Sequence, residues 1–151
     1  MTEKTEQPLL ELGWREWVAL PQLGIPALKC KVDTGARSSA LHAFSVEEFN
    51  KDGARWVRFG LHPRQHDNEQ VIWCEAPVSD VRQVTDSGGH TTERYFITTE
   101  LQIGTQVFPI SMSLTNRDTM LFRMLLGREA MKGRFSVNPA VSYRQGKKPL
   151  D

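Results

Sequence analysis

Asp33, Thr34 and Gly35 are the residues of this chain whose types and order most directly suggest chemistry. An aspartate at the floor of a cleft can activate a water if a second carboxyl group lies beside it. Two carboxylates that close cannot both ionise, so they share one proton. The ionised group then acts as general base on the water while the protonated one polarises a scissile carbonyl. Gly35 lets the backbone pass close behind the carboxylate and donate its amide, where a Cβ would crowd. Thr34 can hydrogen-bond across to a partner loop and hold the two carboxylates coplanar. The chain carries a single Asp-Thr-Gly, so the second carboxylate must come from a second copy of the chain. As a bare tripeptide the pattern is weak, because turns use Asp and Gly freely.

The elements around it strengthen the reading. Residues 13–20 read as a first strand, and Pro21 to Pro26 punctuate it with Gly24 in the turn. Ala27 to Val32 alternates, with Ala27, Lys29 and Lys31 against Leu28, Cys30 and Val32, and runs straight into Asp33. Period-two alternation is the mark of a half-buried strand. Further strands are expected at 56–61 and 70–74. Residues 78–85 lead into Asp86-Ser87-Gly88-Gly89, and 91–103 return as a long Thr- and Ile-rich strand, together an extended hairpin with its tip near Gly88. Gly104-Thr105 is another tight turn, followed by a strand over 106–114. Helical stretches are expected at Ser45 to Lys51 and at Arg128 to Gly133. The expectation is an all-β domain over 13–140, with a flexible segment at 1–12 and a polar tail at 141–151.

The second informative segment is Arg123-Met-Leu-Leu-Gly127-Arg128-Glu129-Ala-Met, an apolar strand, then Gly-Arg, then a short helix. With Val32-Asp-Thr-Gly-Ala-Arg-Ser-Ser-Ala-Leu-His-Ala43 and Leu114-Thr-Asn-Arg-Asp-Thr-Met120, it makes the chain resemble the retropepsin-like proteases. More narrowly, it is similar to the bacterial family of RimB-type peptidases, often labelled ATP-dependent zinc proteases. The similarity runs from about Trp14 to Pro139. It implies a closed, mostly β barrel of the acid-protease fold, one short C-terminal helix, and a flap at Ser87, Gly88 and Gly89. It also implies a homodimer and aspartic endopeptidase chemistry. Asp33, Thr34 and Gly35 then form the catalytic loop, with Ala36, Ser38 and the flap residues against the substrate. Within the family, RimB-type members are linked to trimming glutamate tails that an ATP-grasp ligase adds to a small-subunit ribosomal protein. The implied substrate is thus an acidic peptide or glutamate-tailed protein.

Neither the zinc nor the ATP of the family label finds residues here. A zinc hydrolase wants three ligands at helical or strand spacing. His62 and His66 are separated by Pro63 in a stretch rich in Gly, Pro and Asn, and no His-Glu-x-x-His is present. No Gly-x-x-x-x-Gly-Lys loop is present to cradle phosphates. No metal and no cofactor are therefore expected. His42 follows Leu41 and reads as a packed or capping histidine. Ser38 and Ser39 lack His and Asp partners at an interpretable spacing.

One departure from the usual pattern is informative. Viral-type enzymes commonly place an acid after Asp-Thr-Gly-Ala, paired with the Arg of Gly-Arg; here the position is Arg37. Glu129 or Asp118 could answer one of the arginines. Arg37 either points into the cleft, where with Arg117 or Arg123 it would favour acidic side chains, or forms a bridge away from substrate.

Bulk properties agree. The chain has 151 residues and is 39% apolar, which suits one domain with a real core. Lys and Arg total 19 and Asp and Glu 18, a balance that argues against general nucleic-acid binding. Cys30 and Cys74 are too few for a disulfide framework. No apolar run approaches a membrane span, and residues 1–10 have no apolar core of a signal peptide, so a cytoplasmic protein without a membrane partner is expected. The alternative to a peptidase is the same dimeric fold serving as an acidic-peptide-binding module.

Overall fold

The computed structural model describes residues 8–64, 69–85, 88–116 and 121–146. Twelve strands and one short helix follow in chain order. The strands are β1 (Leu10–Leu12), β2 (Arg15–Leu20), β3 (Ile25–Val32), β4 (Ser39–Ala43), β5 (Ser45–Lys51), β6 (Ala54–Leu61), β7 (Ile72–Pro77), β8 (Asp80–Thr85), β9 (Thr91–Ile103), β10 (Gln106–Asn116), β11 (Met124–Leu126) and β12 (Phe135–Val137). The helix α1 (Arg128–Met131) lies between the last two strands, and a 3-10 turn at Pro21–Leu23 joins β2 to β3. None of these helices is long and apolar enough to cross a membrane.

Six strands close on themselves in the order β10-β4-β11-β3-β2-β9, because β9 also pairs antiparallel with β10 from Gln106↔Ile103 to Ser113↔Phe96. Closure removes open edges and seals an apolar interior. Leu20, Ile25, Leu28, Leu41, Ile97, Leu101, Ile103 and Met112 are fully buried there. β8 extends the sheet beyond β9 and makes with it a long hairpin, in register from Asp80↔Phe96 to Thr85↔Thr91. A three-stranded sheet β5-β6-β7 covers part of the barrel, burying Val57, Phe59 and Leu61 in the common core. The all-β, closed-barrel expectation and the short helix near the C-terminus hold.

Ser45 to Lys51 is a correction: it is a strand, not a helix. It pairs antiparallel with β6 through Asp52-Gly53, whose φ values of 53° and 77° are both left-handed. Asp-Gly in that conformation makes the two-residue turn whose twist matches a hairpin. Glu47, Glu48 and Lys51 favour helices in isolation, but cross-strand pairing overrides so weak a preference. Arg55 grips Glu48 through Nε and Nη2 at 2.6 and 3.2 Å, and the Tyr95 hydroxyl donates to the same carboxylate at 2.9 Å. These bonds hold the Glu48 carboxyl below its usual range.

The ends of the domain meet. β1 pairs in parallel with β12. Glu16, fully buried, accepts the amides of Gly13, Arg144 and Gln145 at 2.6, 2.9 and 3.0 Å. A buried carboxylate needs such donors, and here they fasten residues 144–145 to β2.

Candidate active site

The Asp33 loop is placed by one topological feature. β11 lies between β3 and β4, parallel to the first and antiparallel to the second. The connection from β3 to β4, residues 33–38, must therefore cross the end of β11. The Asp33 amide donates to the Leu126 carbonyl at 2.9 Å, and the amides of Arg128 and Glu129 donate back to the carbonyls of Ala36 and Arg37 at 2.8 and 3.1 Å. Two segments distant in sequence thus fix one loop by main-chain bonds, which is how a turn of Asp and Gly becomes rigid.

Within that loop the Gly35 amide donates to Asp33 Oδ1 at 3.0 Å. A Cβ on Gly35 would sit 3.3 Å from the same oxygen. Nη1 of Arg128, the arginine of Gly-Arg, donates to the Gly35 carbonyl at 3.2 Å and supports the loop from beneath. Arg37 pairs with Glu129, Nε to Oε2, at 3.0 Å. Of the two acids that could have answered an arginine, Glu129 is the one engaged; Asp118 lies outside the described residues.

Asp33 faces a cavity of about 690 Å³. Gly35, Ala36, Arg37 and Ser38 line it from the loop, Ala40, Ser113 and Leu125 from the barrel, and Arg82 to Thr85, Arg94 and Phe96 from the β8–β9 hairpin. The hairpin is therefore positioned as a flap over the carboxylate. Thr34 is exposed and lines a neighbouring cavity with Arg37, Arg128, Met131 and Phe135. Gly88 and Gly89 sit exposed at the flap tip. Ser87 and Arg117 lie outside the described residues. Arg123 is buried, donates through Nε to the His62 carbonyl at 2.9 Å, and is not among the residues lining the Asp33 cavity. His42 is likewise buried, its Nδ1 2.5 Å from the Thr115 hydroxyl.

Sequence reasoning missed Arg82 and Arg94. They are cross-strand partners in the flap, and with Arg37 they set three guanidinium groups against the single carboxylate of Asp33 in the lining. Their symmetric placement about Gly88 was the available signal: a hairpin with its tip there puts them opposite each other. Arg82 also donates through Nε to Asp80 at 2.6 Å, and that bond, with the Val81 amide, lowers the Asp80 pKa. No group of three His, Cys, Asp or Glu side chains among the described residues could hold a metal ion.

Comparison with known proteins places this geometry. A Legionella pneumophila protein, Lpg0085, described as of unknown function (DUF785), superposes with a TM-score of 0.73 at 28% identity, over 90% of this chain and 98% of its own. A "Probable alpha-L-glutamate ligase" from Parasynechococcus marenigrum (strain WH8102) is 49% identical over 135 residues, 89% of this chain but 29% of the relative. One of the same name from Shewanella pealeana is 43% identical over 137 residues, 91% of this chain and 30% of the relative. The chain thus spans less than a third of the curated relatives it matches. The family described as retropepsin-like aspartic endopeptidase RimB matches residues 11–148, a span that takes in the Asp33 loop, the flap and the Gly127-Arg128 segment alike. With the closed barrel and that loop in place, the chain belongs to the RimB-like family of retropepsin-like aspartic endopeptidases.

Proposed function

We propose that this protein is a homodimeric aspartic endopeptidase acting on acidic or glutamate-tailed peptides. The observation that supports it best is the half-buried Asp33 carboxylate, fixed by the Gly35 amide and roofed by a flap. A single chain supplies one such carboxylate. The exposed Thr34-Gly35 edge of the loop is where a twofold-related copy would bring the second. A water held between the two would give a proton to the ionised Asp33 as its oxygen attacks the scissile carbonyl carbon. The protonated partner's Asp33 would donate to the carbonyl oxygen. Collapse of the tetrahedral diol breaks the C–N bond, the leaving nitrogen takes a proton, and the dyad again holds one.

Three guanidinium groups in the lining support an acidic substrate. So do the relatives: a segment like this chain forms part of longer proteins named for glutamate ligation, consistent with a role in trimming glutamate tails, including those of a ribosomal protein. The free thiols of Cys30 and Cys74 suit a reducing, cytoplasmic setting. A second reading draws on the same names: the domain binds glutamate tails for a ligase and cleaves little. Incubation with poly-α-glutamate and a glutamate-tailed protein decides between them. The expected result is shortened chains with wild type and none with Asp33→Ala. Binding without shortening by wild type would favour the second reading.

A further inference from the structure

We propose that Arg82 and Arg94, opposite each other on the two strands of the flap, form the site that reads the carboxylates of the substrate. The inference rests on the acidic-peptide reading of the Asp33 cavity and assigns that recognition to two residues. Directly opposed residues of an antiparallel pair have Cβ atoms only about 4.5–5.5 Å apart, and like charges so placed repel. Arg82 and Arg94 are such a pair. Both line the cavity that contains Asp33. The Asp80 carboxylate beside Arg82 offsets part of that repulsion, and a substrate carboxylate held between the two guanidinium groups would offset more.

The surroundings hold the pair toward the cleft. Period two puts Arg82 on the same face as Asp80, whose cross-strand partner is Phe96. Phe96 is only 2% exposed, and the Arg82 guanidinium carbon lies 4.3 Å from its ring centroid. An arginine held over a buried ring keeps its position at little entropic cost. Asp80 engages Arg82 through Nε, so the forked terminal nitrogens are the part a peptide carboxylate would meet, in the bidentate geometry that suits it. Arg94 donates through Nε to the Thr92 hydroxyl at 3.2 Å, which ties its side chain to its own strand. The competing account makes both arginines ordinary solvated charges of an exposed hairpin.

Binding can be measured apart from cleavage. Asp33→Asn protein is titrated into fluorescent hexaglutamate, and the titration is repeated with Arg82→Gln/Arg94→Gln added. The expected result is a Kd raised about 10–100-fold, with a flatter salt dependence because fewer charges are screened. Arg58→Gln, which removes one charge at an exposed position of β6, should shift Kd less than about twofold. An unchanged Kd in the double variant overturns the proposal, as does an equal loss for a hexaglutamine probe. If wild type cleaves no peptide yet hexaglutamate binding depends on both arginines, the peptidase reading fails and this one stands. If wild type cleaves acidic peptides and the double variant cleaves them equally well, the peptidase reading stands and this one fails.

Discussion

The amide of Gly127 donates to the hydroxyl of Ser39 at 3.0 Å, in the buried interior where β11 ends beside the start of β4. The approach is so close that a Cβ on Gly127 would lie 2.5 Å from the Ser38 carbonyl carbon and oxygen and 3.0 Å from the Arg37 carbonyl oxygen. Those are backbone atoms and cannot turn aside. Glycine at 127 is therefore what allows the Asp33 loop and the Gly127-Arg128 segment to touch.

Gly127→Ala should consequently separate the two and cost both stability and activity, by more than the roughly 1–3 kcal/mol typical of overpacking, because backbone must move. Ser39→Ala is milder. It leaves a buried amide without its acceptor, at about 1–3 kcal/mol, which in a chain of this size lowers Tm by about 2–4 °C per kcal/mol. Thermal melts of both variants beside wild type check the order. A Gly127→Ala protein as stable as wild type contradicts the packing described.

Asp33→Asn should keep the fold and lose turnover. Asparagine retains an oxygen to accept the Gly35 amide, now at 3.0 Å, but has no basic carboxylate to take a proton from water. Circular dichroism and melting should match wild type while cleavage of a glutamate-rich peptide disappears. Persistent cleavage removes Asp33 from the mechanism.

The physical content of the sequence was uneven. The alternation through Ala27 to Val32, and the Asp-Thr-Gly it runs into, locate β3 and the loop that follows it, because strand period and turn chemistry are both local. The long hairpin was legible for the same reason: Thr91–Ile103 has the bounds its residues suggest. Ser45 to Lys51 reads as a helix because Glu and Lys have helical preferences, while the Asp52-Gly53 turn that makes it a strand lies just beyond it. Arg82 and Arg94 are harder to read because their meaning lies in register, which their equal spacing from Gly88 hints at and the pairing of the two strands fixes. The Arg37–Glu129 pair was one of the alternatives the sequence left open; fixing it needs the crossing of β11.

Dimerisation should be required for activity, since one chain offers one Asp33. Mixing wild type with an excess of Asp33→Asn protein should suppress cleavage beyond simple dilution, as mixed dimers hold a single ionisable member of the dyad. Sedimentation should show a dimer at concentrations where the enzyme works. Activity that falls only in proportion to dilution, from a species sedimenting as a monomer, rules the shared site out.

Both thiols should be inert in the folded protein and should make it less stable in alkali. Burial, with Glu16 nearby adding to it, pushes the Cys30 pKa from 9.0 up to about 12, and burial does the same for Cys74. A folded pKa raised above the unfolded one gives stability that is fully present below pH 9 and is lost as pH rises from there toward 12. The slope is on the order of 1 kcal/mol per pH unit for each thiol. Denaturant melts across that window should show the decline, and Cys74→Ala should reduce it. Thiol reagents should label neither cysteine until the chain unfolds. Rapid native labelling contradicts the burial of both groups.

Arg37 tests whether the loop itself takes part in selecting acidic substrates. Its partner is Glu129, but the pair is well solvated, the side chains being 75% and 58% exposed. Exposed pairs of this kind contribute about 0–1 kcal/mol, so Arg37→Ala should leave Tm nearly unchanged. That makes its effect on cleavage interpretable. A guanidinium contact to a substrate carboxylate is worth roughly 1.5–3 kcal/mol, so catalytic efficiency on an acidic peptide should fall by about one to two decades. A neutral peptide should be little affected, and Arg37→Glu should be worse on the acidic one because repulsion is added. Glu129→Ala supplies the opposite control: it releases Arg37 from its bridge without removing the charge, so acidic cleavage should hold or rise. If Arg37→Ala instead lowers Tm and slows both peptides alike, the bridge to Glu129 is the whole of its role, and selection falls to the flap alone.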